Sequence, residues 1–372
     1  MYTGLCLSDP HPDYISVGSA RRTLSATRFA GRYRLVDFML SNMVNSGITD
    51  IGMILNSHYQ SLIAHIGIGK EWDLARKSGG VTFFPPYLSD ARQIEYSEID
   101  SPLQRAVTSL SGTKSEYIVL VGGGAVYNID YRPAIETLRS TGADVVAIYA
   151  KKLVETSDAG EHTVVLDIKD DDRVSSIRLA PYLFDTANVS LGAYIMPKNI
   201  FLQLVTGVKY CDMLRFSCEC LAPALQRLYV KAYEFKGYSA QISSVESSFR
   251  HNMEMLELEN RDALFDYEGR RIFTSRRDSL PTKYGKDAQV ENAIVADGCQ
   301  IEGRVINSII CRSVRIKPGA VVENCILSNS TVVEKDAKLS WMFTDRNVIV
   351  SRGRSLVGAP TYPVYIGPER VV

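Results

Sequence analysis

The pattern of apolar positions divides the chain into two parts with different periods. In the first two-thirds, short runs rich in valine and isoleucine alternate with longer amphipathic stretches. The runs DIGMIL (50–55) and DVVAIYA (144–150) are typical of buried strands, and YRPAIETLRSTG (131–142) is typical of a helix that stops at its final glycine. This strand–helix–strand alternation predicts an α/β domain with a mostly parallel sheet, whose ligands bind at the carboxyl ends of the strands.

From about residue 288 the apolar residues recur every six positions instead. One inward side chain per short strand on a three-sided coil predicts a left-handed parallel β-helix. Breaks in the pattern near Asn307 and Cys325 predict irregular corners, whereas an antiparallel β sandwich would alternate with a period of two. The residues that keep the six-residue period are Val295 and Ile301; Ile310, Ile316 and Val322; and Leu327, Val333 and Leu339.

These two patterns also set the predicted domain boundaries. Residues 1–251 form the α/β domain, residues 252–287 form a linker helix and an irregular connection, and residues 288–372 form the β-helix. Because a β-helix exposes open coil ends and an apolar face, we expect the chain to associate with a partner.

Composition narrows the class of protein. The chain has 372 residues, with 42 basic and 42 acidic side chains. That balance argues against a partner that is nucleic acid or a membrane surface, which favour a basic excess. The sequence contains no run of about 18 apolar residues, so no membrane span is predicted. The N-terminus also lacks the pattern of a signal peptide. We therefore expect a cytoplasmic protein.

The seven cysteines support the same compartment. Their odd number and scattered spacing are typical of reduced thiols. Cys211, Cys218 and Cys220 form the one cluster, and His251 is the nearest candidate for a fourth metal ligand. The spacing lacks the regularity of a structural zinc site, so buried small side chains are the favoured interpretation and no metal site is predicted.

Residues 21–50, RRTLSATRFAGRYRLVDFMLSNMVNSGITD, resemble a dense motif of bacterial ADP-glucose pyrophosphorylases. The resemblance implies a nucleotidyltransferase domain of GT-A or Rossmann-like type followed by a β-helix. It also implies an ancestry in Mg²⁺-dependent nucleotidyl transfer from ATP to glucose 1-phosphate. The matching positions are Gly31, Tyr33, Arg34, Asp37, Phe38, Leu40, Ser41, Asn42, Asn45, Ser46 and Gly47.

The catalytic motifs of that family are degraded in this chain. In GGAVYNIDY (123–131), Gly124 stands where the resemblance places a metal-binding aspartate. In GYSAQISSVES (237–247), Gln241 stands at the second such aspartate, and Ala180 replaces the lysine that binds the sugar phosphate. The glycine-rich phosphate loop aligns with SDPHPDYISVGS (8–19), in which prolines lack the N–H donors that cradle phosphate. No catalytic residue is predicted.

Two features of the family remain. Ser190 and Gly192 match part of its sugar pocket. A group of basic residues matches its allosteric anion site, and arginine suits bidentate binding of phosphate. The arginines of this predicted site for a phosphorylated metabolite are Arg21, Arg22, Arg28 and Arg34.

The resemblance therefore implies a non-catalytic regulatory subunit of glucose-1-phosphate adenylyltransferase in glycogen biosynthesis. Such a subunit would assemble with a catalytic chain, as a heterotetramer, and would leave Mg²⁺ to that partner. Two alternatives stay open: an active sugar-1-phosphate nucleotidyltransferase with unusual metal ligands, and a sugar-phosphate-binding sensor. A hexapeptide-repeat acyltransferase is disfavoured because the predicted β-helix contains no histidine base.

Overall fold

The computed structural model describes residues 1–9, 22–56, 58–86, 101–122, 124–153, 163–179, 186–276 and 278–372. Two predicted site residues, Arg21 and Ala180, lie outside the described residues, as does most of the segment aligned with the phosphate loop. No helix within the described ranges is long and apolar enough to span a membrane.

Nine strands of the described chain form the central sheet of the first domain. Tyr2–Ser8 lies in the middle and pairs in parallel with Asp50–Leu55 on one side and with Tyr117–Gly122 on the other. Beyond Tyr117–Gly122, the long strand Thr186–Pro197 runs antiparallel. The sheet is therefore mixed. The sequence did not indicate this, because a buried antiparallel strand has the same apolar run as a buried parallel one. Its other strands are Gly80–Phe84, Val145–Leu153, Val164–Ile168, Val174–Leu179 and Val230–Glu234.

Helices cover this sheet, and one of them is the helix predicted over residues 131–142. Leu35–Asn45 buries most of its side chains against the sheet, and Arg132–Thr141 ends at Gly142, whose φ of 65° is the left-handed conformation that glycine favours. The other α-helices are Gln60–Ile66, Pro102–Ser111, Lys198–Leu204, Met213–Arg215, Ala222–Ala224, Val245–Met253 and Leu258–Phe265. Shorter turns are the 3₁₀ helices Leu24–Ala26, Lys70–Trp72 and Glu254–Leu256 and the π-helix Phe216–Leu221.

Two small sheets complete the first domain. Ala125–Tyr127 pairs with Ser239–Gln241 in antiparallel register, and Arg28–Phe29 pairs with Tyr33–Arg34. The first of these sheets joins two segments that are far apart in sequence.

The second domain is the predicted left-handed β-helix. Its coils stack in parallel register, so that Ile301 pairs with Ile316 and Ile316 pairs with Val333. Corners with left-handed backbone repeat on one edge, including Asn307 at φ 42° and Asn324 at φ 51°, where irregular corners were predicted. The strands are Lys283–Tyr284, Gln289–Val295, Gln300–Ile301, Arg304–Ile310, Arg315–Ile316, Val321–Glu323, Ile326–Leu327, Val332–Val333, Lys338–Ser340, Met342–Thr344, Ile349–Val350, Ser355–Val357 and Val364–Ile366.

An apolar contact joins the two domains. Phe249 of helix Val245–Met253 is buried with Ile309 and Ile326 of the β-helix, and its ring centroid lies 6.3 Å from that of Phe343. This helix begins before residue 252, where the sequence places the start of the linker. The helix therefore belongs to the junction and fixes the β-helix against the first domain.

Candidate functional site

A cavity opens at the carboxyl ends of the two central parallel strands. Asp9 follows Tyr2–Ser8, and Gly122 is the last residue of Tyr117–Gly122; both line the cavity. Proteins with parallel sheets bind their ligands in crevices at this end of the strands. Among the predicted site residues, the structure brings together Gly124, Gln241, Ser190 and Gly192 in its lining.

Gly124 and Gln241 are adjacent in the lining of this cavity. The small sheet of Ala125–Tyr127 and Ser239–Gln241 holds them, with Gln241 opposite Ala125 and the Gly124 carbonyl accepting a hydrogen bond from Ile242 N–H at 2.8 Å. A Cβ atom added at Gly124 would lie 3.1 Å from Gln241 Nε2. The two positions at which the resemblance places metal-binding aspartates are therefore in contact, and neither carries a charge.

The cavity has two carboxylates that sequence reasoning missed. Asp9 Oδ1 accepts a hydrogen bond from Met213 N–H at 2.9 Å, and Asp212 Oδ1 accepts one from Arg215 N–H at 2.8 Å as the N-cap of a short helix. An aspartate directly before a helix, or directly after a buried strand, is the signal that could have pointed to them. Within the described lining neither lysine nor arginine is present.

Ser190 and Gly192 belong to a hydrogen-bonded network on one side of the cavity. Ser190 Oγ accepts from Gly192 N–H at 3.2 Å and contacts Tyr194 Oη, which lies 2.7 Å from Ser217 Oγ. Gly192 has φ 61° within an irregularity of strand Thr186–Pro197, a conformation that favours glycine. Burial raises the pKa of Tyr194, so its hydroxyl stays protonated and available as a donor.

Met213 limits the space beside this network. A Cβ atom added at Gly122 would lie 2.5 Å from Met213 Cβ, and one added at Gly192 would lie 3.1 Å from Met213 Cγ. Both glycines are therefore needed for the close approach of the Met213 side chain, which covers this end of the cavity.

The two positions at which the resemblance places the magnesium ligands do not supply carboxylates for that ion. Mg²⁺ takes oxygen ligands and is bound in enzymes through carboxylates. Gln241 offers a neutral amide oxygen, Gly124 offers no side chain, and the described residues contain no group of three or more carboxylate, histidine or cysteine side chains placed to hold a metal. Cys211 and Cys220 are buried, and His251 pairs with Glu254 at 2.9 Å. No chemical step through Mg²⁺ follows from this arrangement.

A second, strongly basic cavity lies between the first domain and the β-helix. Arg28 and Arg34 are opposite each other in the small sheet of Arg28–Phe29 and Tyr33–Arg34, so both reach this cavity. Arg34 Nη1 donates to Ser61 O at 2.8 Å, which fixes its guanidinium. The full lining is Arg28, Gly31, Arg32, Arg34, His65, Arg312 and Asn329.

Three lining residues, His65, Arg312 and Asn329, come from beyond the motif on which the prediction rested. Arg312 is in the β-helix, where its Nε donates to Asp297 at 3.0 Å. His65 Nε2 lies 2.6 Å from Asp37 Oδ1. Arg28 also sits beside Cys311 of the β-helix, a thiol whose pKa is raised to about 11, chiefly by burial. The cavity is therefore built at the contact between the domains.

Arg22 does not join this group. Its guanidinium lies 3.4 Å from Asp345 Oδ1 of the β-helix, and both side chains are largely buried. Arg22 thus forms an interdomain ion pair away from the basic cavity, and Arg21 lies outside the described residues. Of the four arginines predicted for an anion site, the structure places Arg28 and Arg34 together and adds Arg32 and Arg312 to them.

Comparisons with known proteins agree with this two-domain arrangement. The family model "Nucleotidyl transferase" matches residues 19–241, and "GlmU-like, C-terminal hexapeptide" matches residues 280–360. The glycogen biosynthesis protein GlgD of Bacillus subtilis is 31% identical over 351 residues, 94% of this chain and 90% of the relative. The chain belongs to the glucose-1-phosphate adenylyltransferase family.

Further relatives carry the enzyme's name. The glucose-1-phosphate adenylyltransferase of Thermosipho africanus is 30% identical over 80% of this chain and 72% of its own length. That of Clostridium perfringens strain 13 is 28% identical over 93% of this chain and 88% of its own length. The similarity extends through both domains, so this member of the adenylyltransferase family carries glycine and glutamine at Gly124 and Gln241 within an otherwise complete architecture.

Proposed function

We propose that this protein is a non-catalytic regulatory subunit of glucose-1-phosphate adenylyltransferase. It would modulate the synthesis of ADP-glucose from ATP and glucose 1-phosphate in glycogen biosynthesis. One observation carries the proposal: Gly124 and Gln241, the positions expected to hold the metal, meet in one cavity and supply no negative charge.

The loss is selective, which favours a regulatory role over a decaying enzyme. The sheet, the junction helix and the β-helix are intact, and the core beneath the cavity includes fully buried residues such as Phe38 and Leu40. A chain under no constraint would not keep a packed interior, since most substitutions destabilise. A retained fold with altered metal positions supports a role for this chain in an assembly with a catalytic partner.

Assembly with a catalytic chain is part of the same proposal. We infer a hetero-oligomer, as a heterotetramer, in which Mg²⁺ and catalysis belong to the partner. The relatives of this chain include both a glycogen biosynthesis protein and glucose-1-phosphate adenylyltransferases. Titration of this chain into a fixed amount of catalytic chain, with pyrophosphate release as the readout, tests the role.

The seven unpaired thiols support a reducing compartment, the cytoplasm.

The basic cavity supports a site for a phosphorylated metabolite at the domain junction. Arg28, Arg32 and Arg34 come from the first domain and Arg312 comes from the β-helix, so one anion would contact both. Arginine binds phosphate through paired, charge-assisted hydrogen bonds. An anion bound here would stabilise one relative position of the two domains. A shift in that relative position would in turn alter the surface that an assembled partner contacts, which is a means of regulating the partner.

Removing one arginine is expected to weaken anion binding about tenfold or more, because a hydrogen bond to a charged group contributes about 1.5–3 kcal/mol. Arg32→Ala is the variant of choice, since Arg32 is exposed at the cavity and its guanidinium stacks on Tyr33. The measurement is the rise in melting temperature as inorganic phosphate is added. Arg227→Ala removes the same charge from an exposed position outside the cavity and serves as the control. Equal losses in both variants would contradict the site.

A further inference from the structure

A third cavity, which we call the lysine cavity, shares no lining residue with the two already described. Its volume is about 330 Å³. Lys151 and Lys152 line it from strand Val145–Leu153, which pairs in parallel with Val230–Glu234. The last residue of that second strand and the following segment, residues 235–239, supply further lining side chains. Pockets for small molecules begin at about 300 Å³, so a small metabolite fits here.

The described lining of the lysine cavity carries more positive than negative charge. Its basic side chains are Lys151, Lys152 and Lys236, and its acidic side chain is Glu234. Lys151 Nζ lies 3.4 Å from Glu234 Oε2, and this ion pair offsets one of the lysines. Lys236 is exposed and makes no ion pair within the described part of the chain. The amines of Lys152 and Lys236 therefore remain for a ligand.

Lys152 is the least exposed of the three lysines. Its Nζ donates a hydrogen bond to the carbonyl oxygen of Ser239, which satisfies one N–H but leaves the positive charge without a carboxylate partner. Burial lowers the pKa of Lys152 to about 8, because a charged amine loses hydration there. An anion in the lysine cavity would compensate for that loss.

The charged groups nearest to Lys152 leave this need unmet. Glu254 favours the protonated amine, but Glu254 Oε2 already accepts a hydrogen bond from Tyr238 Oη at 2.6 Å and lies 2.9 Å from His251 Nδ1. Arg250 adds positive charge and disfavours the protonated amine. The carboxylate in this group is therefore shared among several donors, and Lys152 does not form an ion pair with it.

We propose that the lysine cavity binds a phosphate group, either as inorganic phosphate or as part of a small phosphorylated metabolite. The amines of Lys152 and Lys236 donate to its oxygens. A lysine is a flexible point charge with three donors, so it follows the oxygens of an anion without the fixed geometry that arginine requires.

The lysine cavity borders the junction between the domains. Arg250, which acts on Lys152 electrostatically, belongs to the junction helix Val245–Met253. Phe249 of the same helix packs on the β-helix. A bound anion would thus add negative charge beside the helix that holds the two domains together. Binding requires only the isolated chain, so this proposal and the regulatory role are able to fail independently of each other.

Isothermal titration calorimetry of the full-length chain with sulfate tests the site. Sulfate resembles phosphate but keeps the same charge over the pH range in which Lys152 titrates. At a pH equal to the Lys152 pKa of about 8, half of these amines are neutral, so we expect the uptake of up to about half a proton per bound anion. Titrations in two buffers that differ in ionisation enthalpy measure that uptake. The affinity is expected to fall as the pH rises above this pKa, because the neutral amine does not attract an anion.

Lysine-to-methionine variants locate the binding. Lys152→Met keeps the unbranched stem and removes the amine, so it is expected to weaken sulfate binding about tenfold or more and to abolish the proton uptake. Lys236→Met removes an exposed charge and is expected to weaken binding about two- to fivefold. Lys114→Met makes the same change at an exposed position outside the cavity and serves as the control. Arg32→Ala, in the basic cavity, is expected to leave this binding unchanged.

Inorganic phosphate and glycerol phosphate distinguish the two sources of the phosphate group. Equal affinities identify the free anion as sufficient, whereas tighter binding of glycerol phosphate that depends on Lys152 identifies a phosphorylated metabolite.

Four results would overturn the proposal. The first is the absence of saturable sulfate and phosphate binding, and the second is binding without proton uptake near the Lys152 pKa. The third is binding that Lys152→Met and Lys236→Met both leave unchanged. The fourth is binding that Arg32→Ala alone removes, which would place the anion in the basic cavity. Because Lys236 is exposed, Lys236→Met keeps the test available if Lys152→Met does not fold.

Discussion

Replacing Gly124 and Gln241 together by aspartate is expected to produce a chain whose melting temperature rises when Mg²⁺ or Mn²⁺ is added. A Cβ atom at Gly124 lies 3.1 Å from the Gln241 side chain, so the two new carboxylates would be close enough to share a cation. Without a cation their like charges repel and destabilise the fold. At a cation concentration one hundred times the Kd, the gain is about 2.7 kcal/mol.

The wild-type chain is expected to show no such rise, and each single aspartate variant is expected to show only a small one. Thermal unfolding with and without the cation, and with excess chelator, makes the measurement. We expect the double variant to remain inactive in nucleotidyl transfer, because Ala180 still replaces the phosphate-binding lysine. Equal stabilisation of the wild-type chain by Mg²⁺ would instead support an enzyme with unusual metal ligands.

Asn42→Ala is expected to lower the free energy of unfolding by about 3 kcal/mol. Asn42 is 1% exposed; its Nδ2 donates to Tyr127 O at 3.0 Å and its Oδ1 accepts from Ile129 N–H at 3.2 Å. The change leaves two buried backbone groups without partners, and each such group costs about 1–3 kcal/mol. Urea unfolding followed by circular dichroism measures the difference.

Asn45→Ala provides the matched control on the same helix. Asn45 makes one exposed hydrogen bond, from its Nδ2 to Arg271 O at 3.1 Å, so its loss is expected to cost less than about 1 kcal/mol. Similar losses in both variants would show that Asn42 does not stabilise the strand beneath the cavity. The expected difference gives a structural reason for the first asparagine of the SNMVNSG segment.

The β-helix was the part of the fold that the sequence predicted best. Its six-residue period follows directly from one inward side chain per short strand, and Ile316 and Val333 stack as that period requires. The mixed direction of the first sheet was less predictable. Thr186–Pro197 is buried like its parallel neighbours, so the pattern of its side chains carries no mark of direction.

The candidate site was predictable only where a motif aligned. Gly124 and Gln241 stand in segments of recognisable spacing, and the structure places them in contact. Asp9 and Arg312 were missed because each contacts a residue that is not its neighbour in the chain, such as Asp9 with Met213. Asp212 makes a local contact with Arg215, but only the fold brings it to the cavity. Arg22 shows the converse: it fits the motif, yet the β-helix supplies Asp345 as its partner.

The measurement that tests the regulatory role most directly is pyrophosphate release from ATP and glucose 1-phosphate in the presence of Mg²⁺. This chain is titrated into a fixed amount of catalytic adenylyltransferase, and a blank contains this chain alone. We expect a silent blank and a saturable change in the partner's kcat or KM. Turnover in the blank would contradict the assignment of Gly124 and Gln241 as non-catalytic. A silent blank with no change in the partner would contradict the regulatory role.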